Sequence, residues 1–93
     1  MSDVIQNQDL ERFELVIDGE LAGFSAYTLT DDTIIFTHTE IVGEQREHGL
    51  GGRLVRDALD RVRDHTDYRV VAQCPFVAKW ISEHPDYQDL LSR

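Results

Sequence analysis

Arg46 to Val55 reads R-E-H-G-L-G-G-R-L-V. A β-branched and aromatic run, Thr33 to Val42, precedes it. After it, Leu50, Leu54, Ala58 and Val62 repeat at helical spacing beside Val55 and Leu59. The glycines therefore stand where a strand hands over to a helix. A helix N-terminus presents N–H groups without intrahelical acceptors and the positive end of the macrodipole, which suits a phosphate. Gly49 and Gly51 predict a close approach of backbone to ligand, and Gly52 predicts a helix lying near the sheet. The turn is not a P-loop, because no Gly-Lys-Ser/Thr follows, and its G-x-G-G spacing is not that of a dinucleotide fingerprint. A turn that only joins two elements fits the same residues.

Upstream, residues 1–9 are polar and without period, which predicts a flexible N-terminus ahead of a single domain at 10–93. Phe13, Leu15 and Ile17 alternate, and Asp18-Gly19 signals a tight hairpin. Leu21 to Leu29 predicts the second strand, with Gly23 a bulge or close approach. Asp31-Asp32 turns into a third strand, Thr33 to Val42, so that three strands form an antiparallel meander.

Downstream, the helix runs from about Gly49 to His65. Tyr68 to Gln73 follows as a strand, and the strand–helix–strand order places it parallel to the third. Pro75 ends it. Phe76 to His84 predicts a short helix with Phe76, Val77, Trp80 and Ile81 inward, and Asp86 caps a last turn through Leu91. The predicted class is α+β.

Arg46, Gly49 and Gly51 spell R-x-x-G-x-G, with H-T-E before it (His38 to Glu40) and C-P-F-V after it (Cys74 to Val77). The three together resemble the short, single-domain branch of the GNAT superfamily of acetyl-CoA-dependent N-acetyltransferases, from about Phe13 to Leu91. The resemblance implies a reduced GNAT-like fold and acetyl-CoA as cofactor. It also implies transfer of the acetyl group to an amine by direct attack in a ternary complex. It places pantetheine pairing on Ile41, Val42 and Gly43. The pyrophosphate falls on the backbone around Arg46, Glu47, His48, Gly49, Leu50 and Gly51, leading into Gly52 and Arg53. Glu47 departs from the pattern, standing where the short branch often has glycine. Larger members insert helices between the first strands, and Asp18-Gly19 leaves no room for them. The acceptor side is therefore expected to be open, or completed by another chain. A non-catalytic CoA-binding or protein-interaction module on the same fold is the alternative.

His38 and Glu40 share one strand face. From the residues alone they are equally a polar outer face; with the resemblance, Glu40 takes the proton of the amine and His38 is a structural or acceptor-side group. Cys74 precedes a helix start, where a thiolate is favoured, although a lone cysteine of this kind is commonly a small buried hydrophobe. It either accepts the acetyl group or lines the thioester pocket, and lining is preferred. No second histidine stands at metal-ligand spacing, so no metal site is expected.

The 93 residues suffice for one core, and no apolar run approaches a membrane span. The net charge of −9 argues against general nucleic-acid binding. Five of the eight arginines (46, 53, 56, 61 and 63) lie in or just after the glycine turn. Arg56, Arg61 and Arg63 read as a solvated helix face balanced by Asp57, Asp60 and Asp64, while Arg53 is better placed for a phosphate. One cysteine forms no internal disulfide, and the N-terminus does not read as a signal peptide, so a cytoplasmic protein is expected. The expected partners are a small-molecule or protein amine, with no membrane or nucleic acid, in a monomer or weak homodimer.

Overall fold

The computed structural model describes residues 2–42 and 49–93. Five strands form one sheet in the order β1-β2-β3-β4-β5: β1 Ser2–Asn7, β2 Arg12–Ile17, β3 Glu20–Thr30, β4 Thr33–Ile41 and β5 Arg69–Ala72. The first four pair antiparallel, and β5 adds parallel to β4 after the helix α1, Leu50–His65. Helix α2, Pro75–Ser82, and a 3-10 helix, Pro85–Ser92, complete the α+β arrangement of a reduced GNAT-like fold.

The N-terminal segment differs from its expectation of a flexible end, because Ser2–Asn7 pairs along its whole length with β2, from Ser2↔Ile17 to Asn7↔Arg12. Main-chain pairing and long-range polar bonds hold it: Gln6 donates to the Tyr27 hydroxyl (2.8 Å), and Arg61 of α1 donates to the Val4 carbonyl (3.4 Å). Neither leaves a hydrophobic period in the sequence.

The hairpin at Asp18-Gly19 has positive φ at both residues (50° and 83°), the backbone of a turn whose twist matches paired strands. Two register shifts then shape the sheet. One, between Leu15 and Val16, skips Ala22. The other pairs Ala26 with His38 but Tyr27 with Phe36, leaving Thr37 as the extra residue. A one-residue bulge exchanges the faces of everything beyond it. Ile34 and Phe36 point into the core, yet past Thr37 it is Thr39 and Ile41 that turn inward, while His38 and Glu40 stand exposed.

The core lies between this sheet and the helices. Phe13, Leu15, Tyr27, Ile34, Phe36 and Val70 meet Leu54, Val55, Ala58, Leu59 and Val62 of α1 and Val77, Trp80 and Ile81 of α2, with Leu90 of the 3-10 helix. At the end of α1, Thr66 folds back on the Val62 carbonyl through both its N–H and its hydroxyl. The Arg93 guanidinium donates to the Arg63, Val62, Thr66 and Tyr68 carbonyls, placing a cation at the negative end of the helix. Arg63 is less free than a solvated face implies: it donates to the Asp86 carbonyl (2.6 Å) and the Asp89 carboxylate (2.7 Å) and lies over the Tyr87 ring, clamping the 3-10 helix.

Candidate active site

Strands β4 and β5 pair only from Thr33↔Arg69 to Phe36↔Ala72, and the last bond runs from the Cys74 N–H to the Phe36 carbonyl at 2.8 Å. Beyond it β4 continues to Ile41 paired with β3, while β5 no longer follows it. The separation has two local causes. The bulge at Thr37 redirects β4, and Pro75, which has no N–H to donate, carries the chain from β5 into α2 with Cys74 as N-cap. A cleft of about 460 Å³ opens in the gap, lined by His38, Thr39, Glu40, Ile41, Gly49, Gly51, Gly52 and Phe76.

Helix α1 forms one end of the cleft. Its N-cap, Gly49, sits in the left-handed region at φ 68°, and among the described residues no side chain caps the helix. The first turn carries no acidic residue, and Arg53 lies within it, ion-paired with Asp57 at 3.4 Å. Backbone N–H groups, the helix dipole and a glycine-lined wall together fit the phosphates of a nucleotide cofactor. The exposed run of β4 fits its amide-bearing arm.

Of the residues expected at the site, His38, Glu40, Ile41, Gly49, Gly51 and Gly52 line this cleft. Leu50 packs against the core instead, and the Val42 N–H is spent on the Ala22 carbonyl at 2.8 Å, which leaves it unable to donate to a pantetheine arm. Gly43, Arg46, Glu47 and His48 lie outside the described residues. Gly52 approaches α2 rather than the sheet: an added Cβ there would stand 3.4 Å from the Trp80 indole nitrogen.

His38 and Glu40 project together from the sheet face opposite the core, with Nε2 and Oε2 3.9 Å apart and side-chain exposures of 62% and 52%. The His38 ring also meets Phe24 at 5.9 Å between centroids. Cys74 is buried on the other side, and its thiol donates to the Thr39 hydroxyl at 3.5 Å. Neither His38 nor His84 serves it as a base: His38 is on the opposite face, and His84 is bonded to the Trp80 carbonyl (2.6 Å) and stacked on its ring at 3.8 Å.

Three residues of the site went unread or misread in the sequence. Phe76, expected inward, is 46% exposed and walls the cleft, because α2 presents Val77, Trp80 and Ile81 to the core instead. Thr39 and Ser25 meet through their hydroxyls at 2.9 Å. The available hint was the place of Thr39 inside H-T-E; which face it took depended on the bulge.

Among the described residues no group of three or more His, Cys, Asp or Glu side chains is placed to hold a metal ion, and no helix is long and apolar enough to cross a membrane. A family model described as GCN5-related N-acetyl-transferase matches residues 12–90. A search among curated proteins returned no match. The match takes in β2 through most of the 3-10 helix, and with it both walls of the cleft. The chain belongs to the GCN5-related N-acetyltransferase family.

Proposed function

We propose that the chain transfers an acetyl group from acetyl-CoA to an amine in one step, with both reactants bound together. The observation that carries the reading is the gap between β4 and β5, which has a glycine-lined helix start at one end and a carboxylate, Glu40, on its other side. Bound there, acetyl-CoA supplies an acyl carbon activated as a thioester. The N–H groups at the start of α1 hold its phosphates, and the exposed stretch of β4 orients its arm.

Glu40 takes one proton from the incoming ammonium, directly or through a water, and His38 beside it helps to orient the acceptor. The neutral nitrogen then attacks the acyl carbon. The C–N bond forms, the C–S bond breaks, and the second proton leaves the nitrogen for the departing sulfur, giving an amide and free CoA thiol. The net charge of −9 draws a cationic amine toward the protein. Cys74 lies buried behind Thr39, to which its thiol donates, so the acetyl group passes directly to the amine.

The exposure of His38 and Glu40 supports a second reading, a CoA-binding or interaction module without turnover, since no helix shields that face of the sheet among the described residues. Calorimetric titration with acetyl-CoA, followed by assay of thiol release across a panel of amines, separates the two. Binding with amine-dependent release supports transfer. Binding without release for any amine supports a CoA-binding module, and absence of binding defeats both CoA-dependent readings and leaves the interaction module.

A further inference from the structure

Ser25, Thr39 and Cys74 come from three different elements and meet at one oxygen. Thr39 Oγ1 lies 2.9 Å from Ser25 Oγ and 3.5 Å from Cys74 Sγ. Ser25 is 1% exposed and Cys74 is 4% exposed, while Thr39 is half-buried and lines the cleft.

Counting protons decides the direction of this cluster. A hydroxyl has one proton and two acceptor lone pairs. The Cys74 thiol donates to Thr39, which occupies one lone pair. The Ser25 hydroxyl is fully buried, and Thr39 is its side-chain partner. Were Thr39 to donate to Ser25, the Ser25 proton would be left buried without an acceptor, the more costly arrangement. Ser25 therefore donates as well. With both lone pairs filled, the Thr39 proton is directed away from both neighbours, toward the cleft. Two donors onto one oxygen also polarise its O–H bond and strengthen it as a donor.

Resting on the acetyl-CoA reading above, we propose that the Thr39 hydroxyl donates a hydrogen bond to the acyl oxygen of the bound thioester, held in that sense by Ser25 and Cys74. Negative charge grows on that oxygen as the amine attacks, so a donor fixed in advance stabilises the transition state more than the ground state. Ser25 and Cys74 are positioning residues that act through Thr39. Glu40 works from the opposite face of the same strand: alternation divides attack and charge stabilisation between the two faces, and the bulge at Thr37 sets Thr39 on the core side.

The test is the carbonyl stretch of acetyl-CoA carrying 13C at the acyl carbon, recorded bound to the protein without an acceptor. The expected result is a shift to lower frequency on binding to the wild type, kept in Thr39→Ser and lost in Thr39→Val. In parallel, Thr39→Val should lower kcat roughly 10²-fold with little change in acetyl-CoA affinity. If Thr39→Val does not fold, Ser25→Ala/Thr39→Val removes the stranded Ser25 proton and replaces it in the test. Equal stretches in wild type and a folded Val variant, both saturated with acetyl-CoA, would overturn the role of Thr39 and leave the acetyl-CoA reading standing. Failure of the wild type to bind acetyl-CoA overturns that reading, and the Thr39 role with it.

Discussion

Gly51 in the first turn of α1 faces the Phe76 ring in the first turn of α2, so closely that an added Cβ would lie 2.8 Å from Phe76 Cζ. The contact is with the far end of a half-exposed side chain, which can swing toward the cleft. Gly51→Ala should therefore hold stability within about 1 kcal/mol, since the gain in helix propensity offsets the displaced ring. The displaced ring enters the space proposed for acetyl-CoA, and affinity should fall by roughly tenfold, or about 1.4 kcal/mol. Thermal unfolding and calorimetric titration of the same variant check both halves. A larger β-branched residue at Gly51 is expected to part the two helices, a packing role beyond the close approach to ligand expected of Gly51.

Gly49 behaves differently. A Cβ added there would meet nothing within 4 Å, but the φ of 68° belongs to the left-handed region. Gly49→Ala should cost about 1–2 kcal/mol through backbone strain alone, and Gly49→Asn should cost less. Denaturant titration of the three proteins orders them.

Glu40→Gln preserves shape and removes the proton acceptor. Turnover should fall roughly 10²-fold with acetyl-CoA affinity unchanged. Normal turnover at neutral pH in a folded variant would assign the proton to another group or to water.

Cys74 is expected to form no acetyl adduct, because its thiol is buried and donates to Thr39 rather than to His38 or His84. Intact-mass measurement after mixing with acetyl-CoA alone should show unmodified protein. Cys74→Ser keeps a donor to Thr39 and should retain more activity than Cys74→Ala. An adduct that disappears on adding amine would point to a covalent relay with ping-pong kinetics.

Tyr87 ties the 3-10 helix to α1 by donating its hydroxyl proton to Asp60 at 2.7 Å. That bond, with some burial and the Asp60 charge, raises the phenol pKa above its ordinary value of 10.0. The folded state therefore holds the proton more tightly than the unfolded state. The stabilisation is complete below pH 10 and is lost as pH rises past 10 through the folded-state value. Tyr87→Phe should cost on the order of 1 kcal/mol at neutral pH, and the difference from wild type should shrink above pH 10. Unfolding curves at neutral and alkaline pH provide the comparison.

Local chemistry made much of the chain legible. Asp18-Gly19 can adopt the positive φ values a tight hairpin needs, the stripe from Leu54 to Val62 announces α1, and Pro75 stops β5 because of what its own ring forbids. Glu40, His38 and the glycines could be named as candidates because their motifs are contiguous, and they line one cleft. The remainder depended on partners distant in the chain. Strand β1 exists through its pairing with β2, and Phe76 faces the cleft because Val77, Trp80 and Ile81 claim the core side of α2. Thr37 is one residue too many only in relation to β3, and that mismatch decides that His38 and Glu40 face away from the core while Thr39 turns inward to Ser25 and Cys74. Alternation in a sequence determines which residues share a face; only the register against a neighbouring strand decides which face it is.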